Sequence, residues 1–245
     1  MRGDSILAVI PARYASTRFP GKPLTPILGK PLLQWVWEGA QKAQKIDRVI
    51  VATDDDRIAV AAEKFGAEVK KTRDDHISGT DRIAEATRGM DAAWILNIQG
   101  DEPLIDGPLL DQWISAFHLS FGMTTVATPL RHPADLQKPD IVKVSFDSQG
   151  RALGFQRQVP LAQARRWTHQ HVGLYAYTPE TLRKFVSLPP SQGEQKERLE
   201  QLRALENGIA IQVLPLTFLF VGVDTPGDVP RAERALANRA TSVSK

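Results

Sequence analysis

Between Ile10 and Leu24 the chain reads Ile-Pro-Ala-Arg-Tyr-Ala-Ser-Thr-Arg-Phe-Pro-Gly-Lys-Pro-Leu, so that Arg13, Arg18 and Lys22 follow an apolar run among small, hydroxyl and backbone-bending residues. Guanidinium forks and an ammonium suit polyphosphate oxygens, and Gly21 lets the main chain come close with its amides turned inward. The chemistry this predicts is a cradle for a nucleoside triphosphate, with a solvated basic surface turn as the plain alternative. The spacing matches neither the Walker phosphate loop nor the Gly-x-Gly-x-x-Gly dinucleotide fingerprint, so kinase-type and dinucleotide-binding sites lose their main support.

Acids at two other points could complete such a site. Ile95 to Pro103 reads as an apolar strand that ends in Gly100-Asp101-Glu102, and Val221 to Pro226 ends in Gly222-Val223-Asp224-Thr225-Pro226. Ligands of open parallel sheets sit at the carboxyl ends of strands, which is where both acids fall. A hard cation such as Mg²⁺ takes one or two carboxylates and fills its other positions with phosphate and water, a role open to Asp101 and Asp224 together. Each could instead cap a helix. Asp54 to Asp56 resembles an Asp-x-Asp metal motif, but these acids precede a helical pattern and are assigned to capping. His169 and His171, two apart on a strand, share a face without a third ligand nearby in sequence.

The elements that must position these groups alternate in the first half. Strands are expected at Ile6 to Pro11, Arg48 to Thr53, Ala67 to Lys70 and Ala93 to Ile98, with helices over Leu32 to Ala43, Arg57 to Phe65 and Asp81 to Arg88. That order implies right-handed crossovers and a mainly parallel sheet with helices on both faces. The second half reads as a mixed extension with hairpins, with strands at Met123 to Pro129, Ile141 to Phe146, Ala152 to Phe155 and His171 to Tyr177. A helix is expected from Glu197 to Glu206, with Leu199, Leu202 and Leu205 recurring on one face and Asn207-Gly208 as its stop. A strand from Ile209 to Leu214 and a helix from Asp228 to Asn238 close the fold, and the tail after Ala237 is expected to be loose.

With 245 residues, 42% hydrophobic and 24% charged, the chain fits one globular domain, 1–245, with a sub-lobe. The expected division is a nucleotide-binding core over about 5–130, a second lobe over about 131–215 and a return to the core over about 216–240. A net charge of +3 suits small anions and lacks the dense basic blocks of a nucleic-acid groove. The absence of cysteine excludes disulfides, thiolate metal sites and a cysteine nucleophile. The apolar run after Ser5 spans only about six residues, too short for a signal sequence or a membrane span. A cytoplasmic protein without membrane or nucleic-acid partners is expected.

Taken together, these blocks resemble the 3-deoxy-manno-octulosonate (Kdo) cytidylyltransferases, the CMP-Kdo synthetases, over about Leu7 to Leu236. The resemblance is carried by the opening loop at 10–24, Ala-Thr-Asp-Asp at 52–55, His-x-Ser-Gly-Thr-Asp-Arg at 76–82 and Asn-x-Gln-Gly-Asp-Glu-Pro at 97–103. His-x-Gly-x-Tyr-x-Tyr at 171–177, Leu-Glu-Gln-Leu-Arg at 199–203 and Gly-Val-Asp-Thr-Pro at 222–226 follow in order. It implies an α/β, Rossmann-like nucleotide-diphospho-sugar transferase fold with a smaller mixed-sheet lobe for sugar binding and dimerisation. The implied reaction is attack of the Kdo anomeric hydroxyl on the α-phosphorus of CTP, with Mg²⁺, giving CMP-Kdo and pyrophosphate for lipopolysaccharide synthesis by a homodimer.

Carried over by position, Arg13, Ser16, Arg18 and Lys22 resemble the triphosphate set, and Lys22, Arg18 and Asp101 are the implied catalytic residues. Pro11, Ala12, Arg73, Ser78, Gly79 and Gln99 resemble nucleoside contacts. Asp101 and Asp224 resemble the Mg²⁺ ligands, and Gln99, Arg157, His171, Tyr175, Glu200 and Gln201 resemble the lining of the sugar-acid pocket. The chain departs from the pattern where relatives read Tyr-Phe-Ser-Arg-x-x-Ile-Pro, since it carries Gly154-Phe155-Gln156-Arg157-Gln158-Val159-Pro160, and the stretch from Leu161 to Gln170 is short. Alternatives are therefore a cytidylyltransferase for 8-amino-Kdo or a nonulosonate, a glycosyltransferase that uses Asp54 to Asp56, and a non-catalytic CTP-binding module.

Overall fold

The computed structural model describes residues 5–16, 18–118 and 120–243, with side chains as far as Arg239. Thr17 of the opening loop, His-adjacent residue 119 and both extreme ends lie outside the described residues. In chain order the first elements are β1 (Ile6–Ala12), β2 (Pro26–Ile27), β3 (Lys30–Pro31), α1 (Leu32–Gln41), β4 (Arg48–Thr53), α2 (Asp56–Lys64) and β5 (Glu68–Lys71). There follow α3 (Gly79–Ala86), β6 (Trp94–Asn97), α4 (Gly107–Ser115), β7 (Met123–Pro129), β8 (Lys143–Phe146), β9 (Ala152–Gln156) and β10 (His169–Tyr177). The last are α5 (Pro179–Ser187), α6 (Gln192–Glu197), α7 (Gln201–Glu206), β11 (Ile211–Pro215) and α8 (Val229–Val243).

The chain forms two compact units, one of residues up to Gln112 together with those from Leu219 onward, the other Trp113–Phe218. In the first unit β1 lies between parallel β6 and β4, and β5 continues beyond β4, so Val9 faces Asn97 on one side and Ile50 on the other. β1 is apolar at successive positions because both its faces are covered; Ala8, Val9 and Ile10 are fully buried. β2 and β3 form a small antiparallel ribbon. Below it, Ile27, Leu32 and Leu104 pack with Val221, Val223, Ala232 and Leu236, which anchors the returning chain and α8 to this unit.

The second unit is mixed: β11 runs parallel to β7, while β10 is antiparallel to both β7 and β8, and β8 to β9. β7, expected in the core lobe, clusters here through its long pairing with β10. These two units form the expected α/β architecture, mainly parallel in the first and with antiparallel hairpins in the second.

Three expectations are corrected. The helix expected over Glu197 to Glu206 is broken at Arg198, whose φ of 54° places it in the left-handed region and separates α6 from α7. Its buried face is Leu199, Gln201, Arg203 and Ala204 rather than a leucine stripe, because Arg203 enters paired with Glu194 at 2.6 and 2.8 Å. The tail expected to be loose after Ala237 continues α8 to Val243. Helices α4, α5 and α6 were not expected; α5 and α6 begin on Thr178-Pro179 and a Ser191–Glu194 capping box, local signals that need no long apolar period.

Candidate active site

The opening loop leaves β1 at Ala12 and is closed by its own backbone. The Tyr14 carbonyl accepts from the amides of Ser16 and Gly21, both at 2.9 Å, and Gly21 takes φ 73°, which turns the chain back into the helical turn at Lys22. Glycine suits this left-handed position because it carries no Cβ. A Cβ there would also stand 3.1 Å from the Tyr14 ring.

From this turn Lys22 reaches two acids at once. Its Nζ donates to Asp101 Oδ2 at 2.6 Å and stands 3.6 Å from Asp224 Oδ1, which also accepts from Arg18 at 2.9 Å. Asp101 arrives just beyond β6, and the Val223 amide donates to the Asp101 carbonyl at 3.0 Å, which locks the two acidic segments side by side. The capping alternative for Asp224 is resolved by its neighbours. Thr225 is the cap position, and the Asp228 carboxylate accepts from the amides of Asp224 and Thr225, so the Asp224 carboxylate faces the cations instead.

Around this centre opens a cavity of about 370 Å³ lined by Pro11, Ala12, Arg13, Ser16, Arg18, Lys22, Ser78, Gly79, Gln99, Asp101 and Asp224. The wall is completed by Pro23, His76, Ile77, Arg82 and Gly100, which the sequence did not assign to the site although most lie inside its motifs. Ser78 serves two purposes. It lines the cavity and caps α3, its hydroxyl accepting from the Asp81 amide while Asp81 returns a bond to the Ser78 amide. Gly79 follows, its backbone beside Pro11, which a Cβ there would meet at 3.4 Å in ordinary contact.

Arg73 stands apart from the lining: its exposed guanidinium pairs with Glu85 and Asp75, each at 3.4 Å. Arg82 does line it; this arginine is buried, donates to Thr72 at 2.5 Å and pairs with Asp54 at 2.8 Å. With Asp54 held there, Asp55 capping α2 and Asp56 paired with Lys71, the three successive acids are engaged as structural partners.

Next to Asp101 sits the buried Glu102, its carboxyl pushed well above the usual range by burial and then by the nearby charges of Asp101 and Asp224. Gly222 makes room for it, since a Cβ there would lie 2.9 Å from Glu102 Oε1. Asp101 and Asp224 already converge on one cation, the Lys22 ammonium, and both offer oxygen only. That donor pair fits a hard divalent ion. Among the described residues no group of three or more His, Asp or Glu side chains converges as a ready cation nest, so such an ion would draw its remaining ligands from substrate and water.

In the second unit, His171 is enclosed and held neutral, its pKa lowered to about 3 by burial. The Thr125 hydroxyl donates to the Leu174 carbonyl at 2.7 Å and lies 3.0 Å from His171 Nε2, which makes that nitrogen the imidazole's donor. Phe155 meets the ring edge-on and Tyr175 lies 5.4 Å from it, its hydroxyl pushed well above 10 by burial and then by Tyr177 and Glu200. Gln201 and Gln156 each bury an amide atom, Nε2 and Oε1 respectively, without a protein partner. Arg157 spends three donors on the carbonyls of Glu197, Pro139 and Arg198, at 2.7, 2.9 and 3.1 Å, so two of its five N–H groups remain. His169, two residues before His171, bonds Thr168 and packs on Phe146.

A parallel α/β unit with a cation-lined cavity at its strand ends defines a nucleotidyltransferase architecture, and residues 7–211 match the cytidylyltransferase family model. The 3-deoxy-manno-octulosonate cytidylyltransferase of Syntrophotalea carbinolica is 47% identical, covering 95% of this chain and 98% of its own. That of Pseudomonas syringae pv. tomato is 50% identical over 93% of this chain and 96% of its own. Among solved structures, CMP:2-keto-3-deoxy-manno-octonic acid synthetase complexed with CTP superposes with a TM-score of 0.90 at 36% identity, covering 96% of this chain and 100% of that one. The chain belongs to the 3-deoxy-manno-octulosonate cytidylyltransferase family and is a nucleotidyltransferase of that kind.

Proposed function

We propose that the chain transfers CMP from CTP to the anomeric hydroxyl of Kdo and releases pyrophosphate. The observation that carries this reading is the convergence of Lys22, Asp101 and Asp224 at the mouth of a cavity whose loop also presents Arg13 and Arg18. Arg13, Ser16 and Arg18 bind and orient the triphosphate, and Lys22 leaves its aspartates to stabilise the departing pyrophosphate. Asp101 and Asp224, released from Lys22, would hold Mg²⁺. When bound, Mg²⁺ supplies charge neutralisation of the phosphates and a lower pKa for the attacking hydroxyl. Ser78, Gly79 and Gln99 stand beside the phosphate loop, where they can read the base and ribose.

The sugar acid is assigned to Arg157, His171, Tyr175, Glu200 and Gln201. The neutral His171 and Tyr175 suit hydroxyl recognition, and the remaining N–H groups of Arg157 suit a carboxylate. Gln156, with its buried carbonyl oxygen unpartnered, favours a second reading in which the sugar brings an additional donor, as 8-amino-Kdo would. The same proposal includes a homodimer, a cytoplasmic location and supply of CMP-Kdo to lipopolysaccharide synthesis. It is supported by the similarity to CMP-Kdo synthetases and by the described helices, none of which is long and apolar enough to cross a membrane.

Pyrophosphate release from CTP and Mg²⁺, measured with Kdo, 8-amino-Kdo and N-acetylneuraminate separately, tests it. Release with Kdo in preference to the others is expected. Preference for the amino sugar would favour the second reading, and no release with any of the three would overturn the proposal.

A further inference from the structure

The loop that carries Arg13, Arg18 and Lys22 is held from outside the cavity by a stack that none of its cations explains. Tyr14 makes two contacts. Gly21 meets its hydroxyl end, close enough that a Cβ there would lie 3.1 Å from the ring carbon that bears the hydroxyl. The Arg57 guanidinium carbon lies 3.3 Å from the ring centroid, in the geometry of a cation–π stack.

Arg57 is itself fixed. Its Nη2 donates to Asp55 Oδ2 at 2.6 Å and its Nε to Asp55 Oδ1 at 3.0 Å, a two-pronged pair, while the same Oδ1 caps α2 by accepting from the Arg57 amide at 2.9 Å. The helix that follows β4 thus presents a rigid planar cation to the loop that follows β1. Neither Asp55 nor Arg57 lines the cavity. An exposed ion pair of this kind contributes little stability by itself, so its use lies in what it holds.

We infer that Arg57 is a positioning residue for nucleotide binding, clamping Tyr14 against Gly21 so that the backbone turn delivers Lys22 and its flanking cations to the triphosphate. This rests on the reading of the loop as the CTP site. It assigns a role in that site to Arg57 through Tyr14, without contact between Arg57 and substrate.

Steady-state kinetics and equilibrium CTP binding on the full-length Arg57→Ala variant test it. KM for CTP and the CTP dissociation constant are expected to rise about fivefold, the range a single cation–π contact spans. The expected kcat stays within about twofold of wild type, and KM for the sugar acid is unchanged. Arg57→Lys keeps the charge but loses the planar face and forked pairing, and is expected to behave like the alanine variant. In a double-mutant cycle, adding Arg57→Ala to Tyr14→Ala is expected to weaken CTP binding no further.

Unchanged CTP binding in Arg57→Ala, rescue by lysine, or additive losses in the cycle would each overturn the inference. If Arg57→Ala lowers thermal stability, Asp55→Asn replaces it, because asparagine retains a capping oxygen while removing the charge that orients Arg57; wild-type CTP affinity in that variant overturns the inference as well. Wild-type protein that binds no CTP would instead overturn the reading of the loop.

Discussion

The two units handle polar groups in opposite ways. In the first, the cavity is built from full charges that stay near water: Arg18, Lys22, Asp101 and Asp224 share one network, with Arg18 and Asp224 more than half exposed. In the second, His171 and Tyr175 are enclosed and held in their neutral forms by burial. Fixed charges can meet a highly charged ligand whose own solvation they replace, whereas neutral donors and acceptors can discriminate hydroxyl patterns without carrying a buried charge. Under the proposed function, the charged unit meets the polyanionic nucleotide and the neutral groups meet the hydroxyls of the sugar acid.

The largest expected effect falls on the charged side. Lys22→Ala and Asp101→Asn are each expected to lower kcat/KM for CTP by about a hundredfold or more, the loss typical of removing one preorganised group that meets developing charge. Both side chains are part-buried, so the thermal midpoint of each variant is measured alongside to separate lost chemistry from lost fold. Retention of near wild-type kcat/KM by Asp101→Asn would break the assignment of chemistry to that cluster.

A smaller effect tests the neutral side. Because the pKa of His171 in the folded chain is about 3, against 6.5 for the free side chain, the unfolded chain binds a proton between those values that the folded chain does not. Stability from this residue is therefore full above pH 6.5 and falls as pH drops toward 3. Between pH 7.5 and pH 5 the loss attributable to His171 is about 2 kcal/mol. Urea unfolding at the two pH values should show that much less pH dependence in His171→Gln than in wild type; equal dependence would mean that the imidazole is not held neutral.

The smallest effect lies at the turn. Gly21→Ala forces a Cβ into the left-handed region and toward the Tyr14 ring, for a destabilisation of about 1–2 kcal/mol. If denaturant melts show no loss, the turn has an alternative conformation, and the contrast between a fixed charged loop and a fixed neutral interior would need restating.

The sequence was most legible where one segment contains its own chemistry. The 10–24 loop announces its cations and its bend without reference to the rest of the chain; β4 is marked by its apolar run Val49 to Ala52, and β7 by the β-favouring Thr and Val residues between Met123 and Pro129. Convergence at a distance was less legible: Asp224 reads equally well as a cap, and only Thr225 and Asp228 taking over that duty leave its carboxylate to Arg18 and Lys22. Arg73 and Arg82 illustrate the same difficulty, since composition does not distinguish an arginine that pairs on the surface from one that backs a cavity. The break at Arg198 was illegible because a non-glycine residue at positive φ is set by the packing around it, here the pairing of Arg203 with Glu194, rather than by its own preference.

The Lys22 ammonium reaches the cavity already neutralised. Under the proposed function, its bond to Asp101 at 2.6 Å means that an incoming triphosphate does not meet a free cation but must exchange one carboxylate partner for a phosphate. Affinity at that position is a difference between two attractions of the same kind, both weakened by added salt. Nucleotide binding should accordingly depend on ionic strength less steeply than three cations around one polyanion would suggest, and the site should discriminate by how well a ligand replaces the displaced aspartate rather than by how much negative charge it carries.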